Sequence, residues 1–103
     1  MIKTHKVKDK LNLLMKEGVI ALGGGDLRLA LKTFNNILNL NPNDPIAYNN
    51  LGLTWYNLGN LKNAIKNFKK AIDLQPDYFD PHFHLGVSFN QLGDLKEAEK
   101  NYR

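Results

Sequence analysis

Three histidines and a single serine are the side chains here best suited to metal, acid–base or nucleophilic chemistry, because the chain contains no cysteine. His82 and His84 stand two apart in a segment patterned as helix, so they leave on different faces and cannot chelate one ion together, and His5 is remote in sequence. Ser88 has no base placed beside it and falls on a helix patterned for packing. The run Gly23-Gly24-Gly25 precedes a helix as a phosphate-cradling loop does. No Lys-Ser/Thr pair follows it, however, and Asp26 puts a negative charge where the phosphate would sit, so the run reads as a plain turn. Without cysteine, a disulfide framework, a thiolate zinc site and a cysteine nucleophile are excluded. The sequence predicts no catalytic residue, no metal-ligand set and no cofactor, and the chain does not read as an enzyme.

The elements that carry these residues belong to one small domain or a short repeat array, since the chain has 103 residues, 43% hydrophobic and 23% charged. Residues 11–22 are the most apolar stretch, but Asn12, Lys16 and Glu17 interrupt it, so it is neither a membrane span nor a leader, and a soluble cytoplasmic chain is expected. The formal charge is +4, and Lys3, Lys6, Lys8 and Lys10 against Asp9 place +3 of it in the first ten residues, leaving +1 for the rest. Lys32, Lys62, Lys66, Lys69 and Lys70 form a basic strip on the outer helices, which reads as a solvated convex face. Phe68, the aromatic that falls among them, belongs to the packing stripe, so none is left on that face for base stacking, which argues against nucleic acid, and nothing in the pattern favours a membrane surface.

The chain repeats itself every 34 residues. Gly18, Gly52 and Gly86 recur at that spacing, and so do Gly25, Gly59 and Gly93; Leu27, Leu61 and Leu95; Ala30, Ala64 and Ala98; and Phe34, Phe68 and Tyr102. Each unit reads as two helices. Tyr48, Leu51, Gly52 and Trp55 form one 3.6-period stripe, with Asp44 as cap and Pro45 in the first turn. Gly59 ends that helix, Asn60 caps the next, and Leu61, Ala64, Phe68 and Ala71 form its stripe before Pro76 stops it. The third unit predicts a helix through His82, Leu85, Gly86 and Phe89, a turn at Gly93 and Asp94, and a second helix from Leu95. The first unit's stripe extends back through Leu11 and Val7, predicting a helix that begins near His5. Packing is expected to set Gly52 against Ala64 and Gly86 against Ala98, with Trp55, Phe68 and Phe89 filling the wedges between pairs.

This 34-residue helix-turn-helix, with Leu-Gly, an aromatic, Gly-Asn/Asp-Leu, Ala, an aromatic and a closing Pro, resembles the tetratricopeptide repeat. The resemblance covers residues 11–103. It implies an all-α, right-handed superhelix of antiparallel helix pairs, with a basic N-terminal extension (1–10), a first repeat with a degenerate leading helix (11–44), a complete second repeat (45–78) and a third truncated in its second helix (79–103). It also implies that the first helices line a concave groove, whose facing positions here are Met15, Val19, Asn49, Asn50, Leu53, Tyr56, Phe83, His84, Val87 and Asn90. Such a mixture of apolar knobs and amides suits an extended peptide. Family members that clamp a terminal carboxylate do so with Lys, Arg and Asn. Met15, Val19, Asn50, Asp80 and His84 hold those places here, so a two-carboxylate clamp is rejected.

The expected function is a protein-interaction module or scaffold that binds a peptide segment, extended or helical, of a partner protein. Two other readings stand beside it. The uncovered Leu95, Ala98 and Tyr102 face could join copies into a homo-oligomer, or the repeats could be the regulatory segment of a larger enzyme continuing past Arg103.

Overall fold

The computed structural model describes Ile2–Asn101, with side chains placed from Lys6 to Lys100. Five helices follow one another: α1 (Ile2–Gly23), α2 (Leu27–Leu40), α3 (Pro45–Asn57), α4 (Leu61–Leu74) and α5 (Phe79–Asn101), with no strand among the described residues. The pairs α1/α2 and α3/α4 are the most tightly packed, α2 joins them through α3, and α5 lies on α4. The result is an all-α solenoid of antiparallel helix pairs. α1 begins at Ile2 rather than near His5, so the basic segment is the first part of a 22-residue helix.

Two turns of identical build reverse the chain. Gly25 and Gly59 take φ of +81° and +84°, a region costly for any residue with a Cβ. The following amides then reach back, Asp26 N–H to the Ala21 carbonyl and Asn60 N–H to that of Trp55, both at 2.9 Å. The same two residues cap the next helices, Asp26 accepting from Leu29 N–H at 3.2 Å and Asn60 from Asn63 N–H at 3.0 Å. Asp44 caps α3 twice over, accepting from Ile46 and Ala47, with Pro45 in the first turn. α2 and α4 each present a strongly one-sided apolar face, and these faces build the core. Ala30, Phe34 and Ile37 of α2 meet Ala21, Ala47 and Leu51, while Leu61, Ala64, Ile65, Phe68 and Ala71 of α4 are buried in the second pair.

The close approach inside each pair is glycine against ring. A Cβ built on Gly18 would lie 2.6 Å from the Phe34 ring, and one on Gly52 2.5 Å from that of Phe68. The small residue therefore accommodates the aromatic of the second helix rather than its alanine, which corrects the pairing of Gly52 with Ala64.

The third unit departs from the plan. α5 runs unbroken through Gly93 and Asp94, and Gly93 has no positive φ. Gly86 consequently has nothing within 4 Å of an added Cβ, and Phe89 is 46% exposed. Neither residue is held by packing as its counterparts in the second unit are. The physical reason is the imbalance of reward. After Gly59 the reversal buries a 14-residue amphipathic helix. At Gly93, by contrast, continuing keeps every i→i−4 hydrogen bond for the ~1 kcal/mol that glycine costs inside a helix, and the glycine takes no positive φ to turn the chain back. Tyr102, expected on one face with Leu95 and Ala98, lies outside the described residues.

Candidate peptide-binding groove

α3 touches both α1 and α5, so three helices line one face of the solenoid. Met15 and Val19 come from α1, Asn50, Leu53 and Tyr56 from α3, and Phe83, His84, Val87 and Asn90 from α5. Met15 is half-buried and packs on the first core, and its Sδ accepts from Asn50 Nδ2 at 3.5 Å, joining the first two repeats across the groove floor. The backbone carbonyl of Asn50 accepts from Thr54 Oγ1 at 2.8 Å, a bond within α3 itself. Leu53, Tyr56 and Val87 are half-buried, while Val19, Phe83 and Asn90 are exposed.

Asn49 is placed differently from its expected role. It is only 3% exposed, and its amide bridges α3 to α5: Nδ2 donates to the Tyr78 hydroxyl at 3.4 Å, and Oδ1 lies 3.2 Å from His84 Nδ1. An amide oxygen can only accept, so the hydrogen bond places the imidazole proton on Nδ1. Asn49 therefore sets the position of α5 rather than offering its amide to a ligand. The same contact explains His84, whose ring also sits 5.4 Å from the Phe68 ring. Burial lowers the His84 pKa below its ordinary 6.5, partly offset by the nearby Asp80 carboxylate. Burial, reinforced by Asp80, raises that of Tyr78 above 10.0.

Two residues of this face escaped sequence reasoning. Phe79 is 71% exposed and stacks on Phe83 with ring centroids 6.2 Å apart, and Phe83 in turn meets His84 edge-on at 5.7 Å. Together they extend the groove into an exposed aromatic ledge. Tyr78 is the second, acting through Asn49. The one available signal was density, with three aromatics among the six residues 78–83.

Chemistry elsewhere is sparse. The buried Ser88 hydroxyl donates to the His84 carbonyl at 2.8 Å, just as Thr54, 34 residues earlier, donates to Asn50, so it closes its own helix. Among the described residues no group of three His, Asp or Glu could hold a metal ion, and no helix is long and apolar enough to cross a membrane. On the opposite side of α4, Lys66, Lys69 and Lys70 flank a shallow cleft with Tyr48, Asn67 and Asp73.

A family model described as Tetratricopeptide repeat matches residues 45–78. No curated protein matches the chain. Among solved structures, the MamA RS-1 ArsTM double mutant is 28% identical with a TM-score of 0.76, covering 89% of this chain and 52% of its own. The Sgt2 TPR domain from Aspergillus fumigatus is 22% identical with a TM-score of 0.78, covering 90% and 62%. The first TPR of Spaghetti (RPAP3), bound to the HSP90 peptide SRMEEVD, is 21% identical with a TM-score of 0.79, covering 91% and 76%. The chain thus spans only about half to three quarters of the length of these structures.

Proposed function

We propose, on the premise that residues 45–78 are a tetratricopeptide repeat and that the chain carries that solenoid fold, that it is a protein-interaction module holding an extended segment of another protein in the groove of α1, α3 and α5. The observation that carries this reading is the groove's construction. The side-chain amide of Asn50, held through its Nδ2 by Met15, lies between apolar residues on either side, Met15 and Leu53, and the aromatic ledge of Phe79 and Phe83 closes one end. A preset amide pairs with a peptide backbone at little entropic cost, and the exposed apolar residues select side chains. Binding rather than catalysis is the activity such a surface supports.

The segment is uncharged or mixed in character. The RPAP3 repeat carries an acidic HSP90 peptide, but the positions at which the family places clamping Lys and Arg hold Met15, Asp80 and His84 here, and Val19 stands where it places an Asn. Selection from a displayed peptide library, followed by titration of the enriched peptides, tests the reading. Asn50→Ala and Phe83→Ala should each weaken binding by about tenfold or more, the loss of one hydrogen bond or one aromatic contact, with melting unchanged. The peptide SRMEEVD should bind no better than a scrambled control. Equal binding by both variants would place the ligand elsewhere.

A further inference from the structure

The floor of the groove is uncharged, because α3 contains no Asp, Glu, Lys or Arg. Charge enters where α5 begins. Asp80, Phe83, His84 and Val87 follow one another at i, i+3, i+4 and i+7, which sets the Asp80 carboxylate on the groove face one turn before the aromatic ledge. The ledge itself is two rings, Phe79 and Phe83, with planes within 22° of each other and both open to solvent, 71% and 57% exposed. Asp44, the cap of α3, brings a second carboxylate to the same end, since Asp80 and Asp44 both push the Tyr78 pKa up and Asp80 acts on His84 as well. Neither carboxylate is matched by a cation, the single ion pair among the described residues being Lys100 with Glu97. Lys16, which stands 34 positions before Asn50, carries the opposite charge on α1. The groove is therefore polarised, positive on its α1 side and negative with exposed rings on its α5 side.

We propose that the α5 end of the groove recognises an arginine side chain of the bound segment, its guanidinium laid on the rings of Phe79 and Phe83 and paired with the Asp80 carboxylate. This rests on the groove reading above and names what that groove selects. An apolar side chain would cover the rings but would take the neighbouring carboxylate out of water without a partner, and an acidic one would be repelled by it. A cation satisfies both features at once. Arginine fits better than lysine because its guanidinium is planar, weakly hydrated and able to stack on a ring while its N–H groups donate to a carboxylate; an ammonium gives up more hydration and has no face to stack. A bare metal ion is not the occupant, since no group of three His, Asp or Glu gathers there among the described residues. The position of Asp80 in the first turn of α5 favours its ionised form, as the positive end of the helix dipole lies beside it.

Random nonapeptides displayed on phage and selected on the whole chain are the probe. Those whose binding falls with Asn50→Ala occupy the groove, and among them arginine should be enriched at one position. Replacing that arginine by glutamine should weaken binding to the wild type about tenfold or more, and binding to Asp80→Asn by less than about twofold. Phe79→Ala should weaken the arginine peptide severalfold and leave its glutamine counterpart unchanged. Exchanging the charges, with glutamate in the peptide against Asp80→Lys, should recover part of the lost affinity. Asp80 and Phe79 are exposed, so circular dichroism of both variants should match the wild type. Groove-dependent peptides without an enriched arginine would overturn this inference and leave the groove reading standing, as would an arginine whose loss costs the same on Asp80→Asn as on the wild type. A selection that yields no peptide sensitive to Asn50→Ala would overturn the groove reading itself, and the arginine site with it.

Discussion

Asn49 ties three ring-bearing residues into one arrangement: it holds the Tyr78 hydroxyl and the His84 imidazole directly, and His84 rests on Phe68. Burial holds the imidazole pKa below its ordinary value, which gives stability a pH dependence of fixed sign. With the folded pKa below the unfolded 6.5, the unfolded chain binds the proton first. Stability from this group is complete above about pH 6.5 and declines as pH falls through that value toward the folded pKa. Chemical denaturation at pH 7.5 and 5.5 should show the decline, and His84→Gln should reduce it. An unchanged pH slope in that variant would assign the effect to other groups. The sequence placed both Asn49 and His84 on the groove helices but gave them the same task. Only the tertiary contact separates a buried bridge from an exposed ligand contact, because an amide is equally at home in either.

Helices α3 and α5 share a sequence plan and differ in what covers them, and a pair of glycine substitutions separates the two. Gly52→Ala drives a methyl into the Phe68 ring and should cost about 1–3 kcal/mol, the usual range for overpacking. Gly86→Ala meets open space and should gain about 0.5–1 kcal/mol from helix propensity at concentrations where the chain is monomeric. Thermal melts of both measure the difference directly, and a destabilised Gly86→Ala would mean that α5 is covered after all. The helices from Leu27 to Leu74 were legible because cap and stripe agree for each, with a positive-φ glycine before two of them: Asp26, Asp44 and Asn60 each cap the helix they precede. The turn expected at Gly93 was misread for the opposite reason. Leu92-Gly93-Asp94-Leu95 repeats the signature of the second unit, but a turn forms only when the helix after it has enough apolar surface to bury, which local sequence does not state. For the same reason Phe89, central to its stripe by pattern, is exposed.

The whole molecule measures 62 × 29 × 18 Å with a radius of gyration of 15.4 Å, against roughly 13 Å for a compact domain of this size. Its buried residues fall in two neighbouring sets, and the far part of α5 stands outside both. Solenoid stability is a sum of units and interfaces, so protection should be graded along the chain. Hydrogen exchange should find the α4 amides slowest and those of residues 94–101 exchanging orders of magnitude faster; equal protection at both places would contradict a free-standing helix end. Trp55, the chain's one tryptophan, is half-buried against the first set, at the seam where α3 receives α1 and α2. Its emission wavelength is therefore a gauge of that seam alone: undocking of the leading hairpin would shift it to the red while the Phe68 set, which contains no indole, stayed dark and intact.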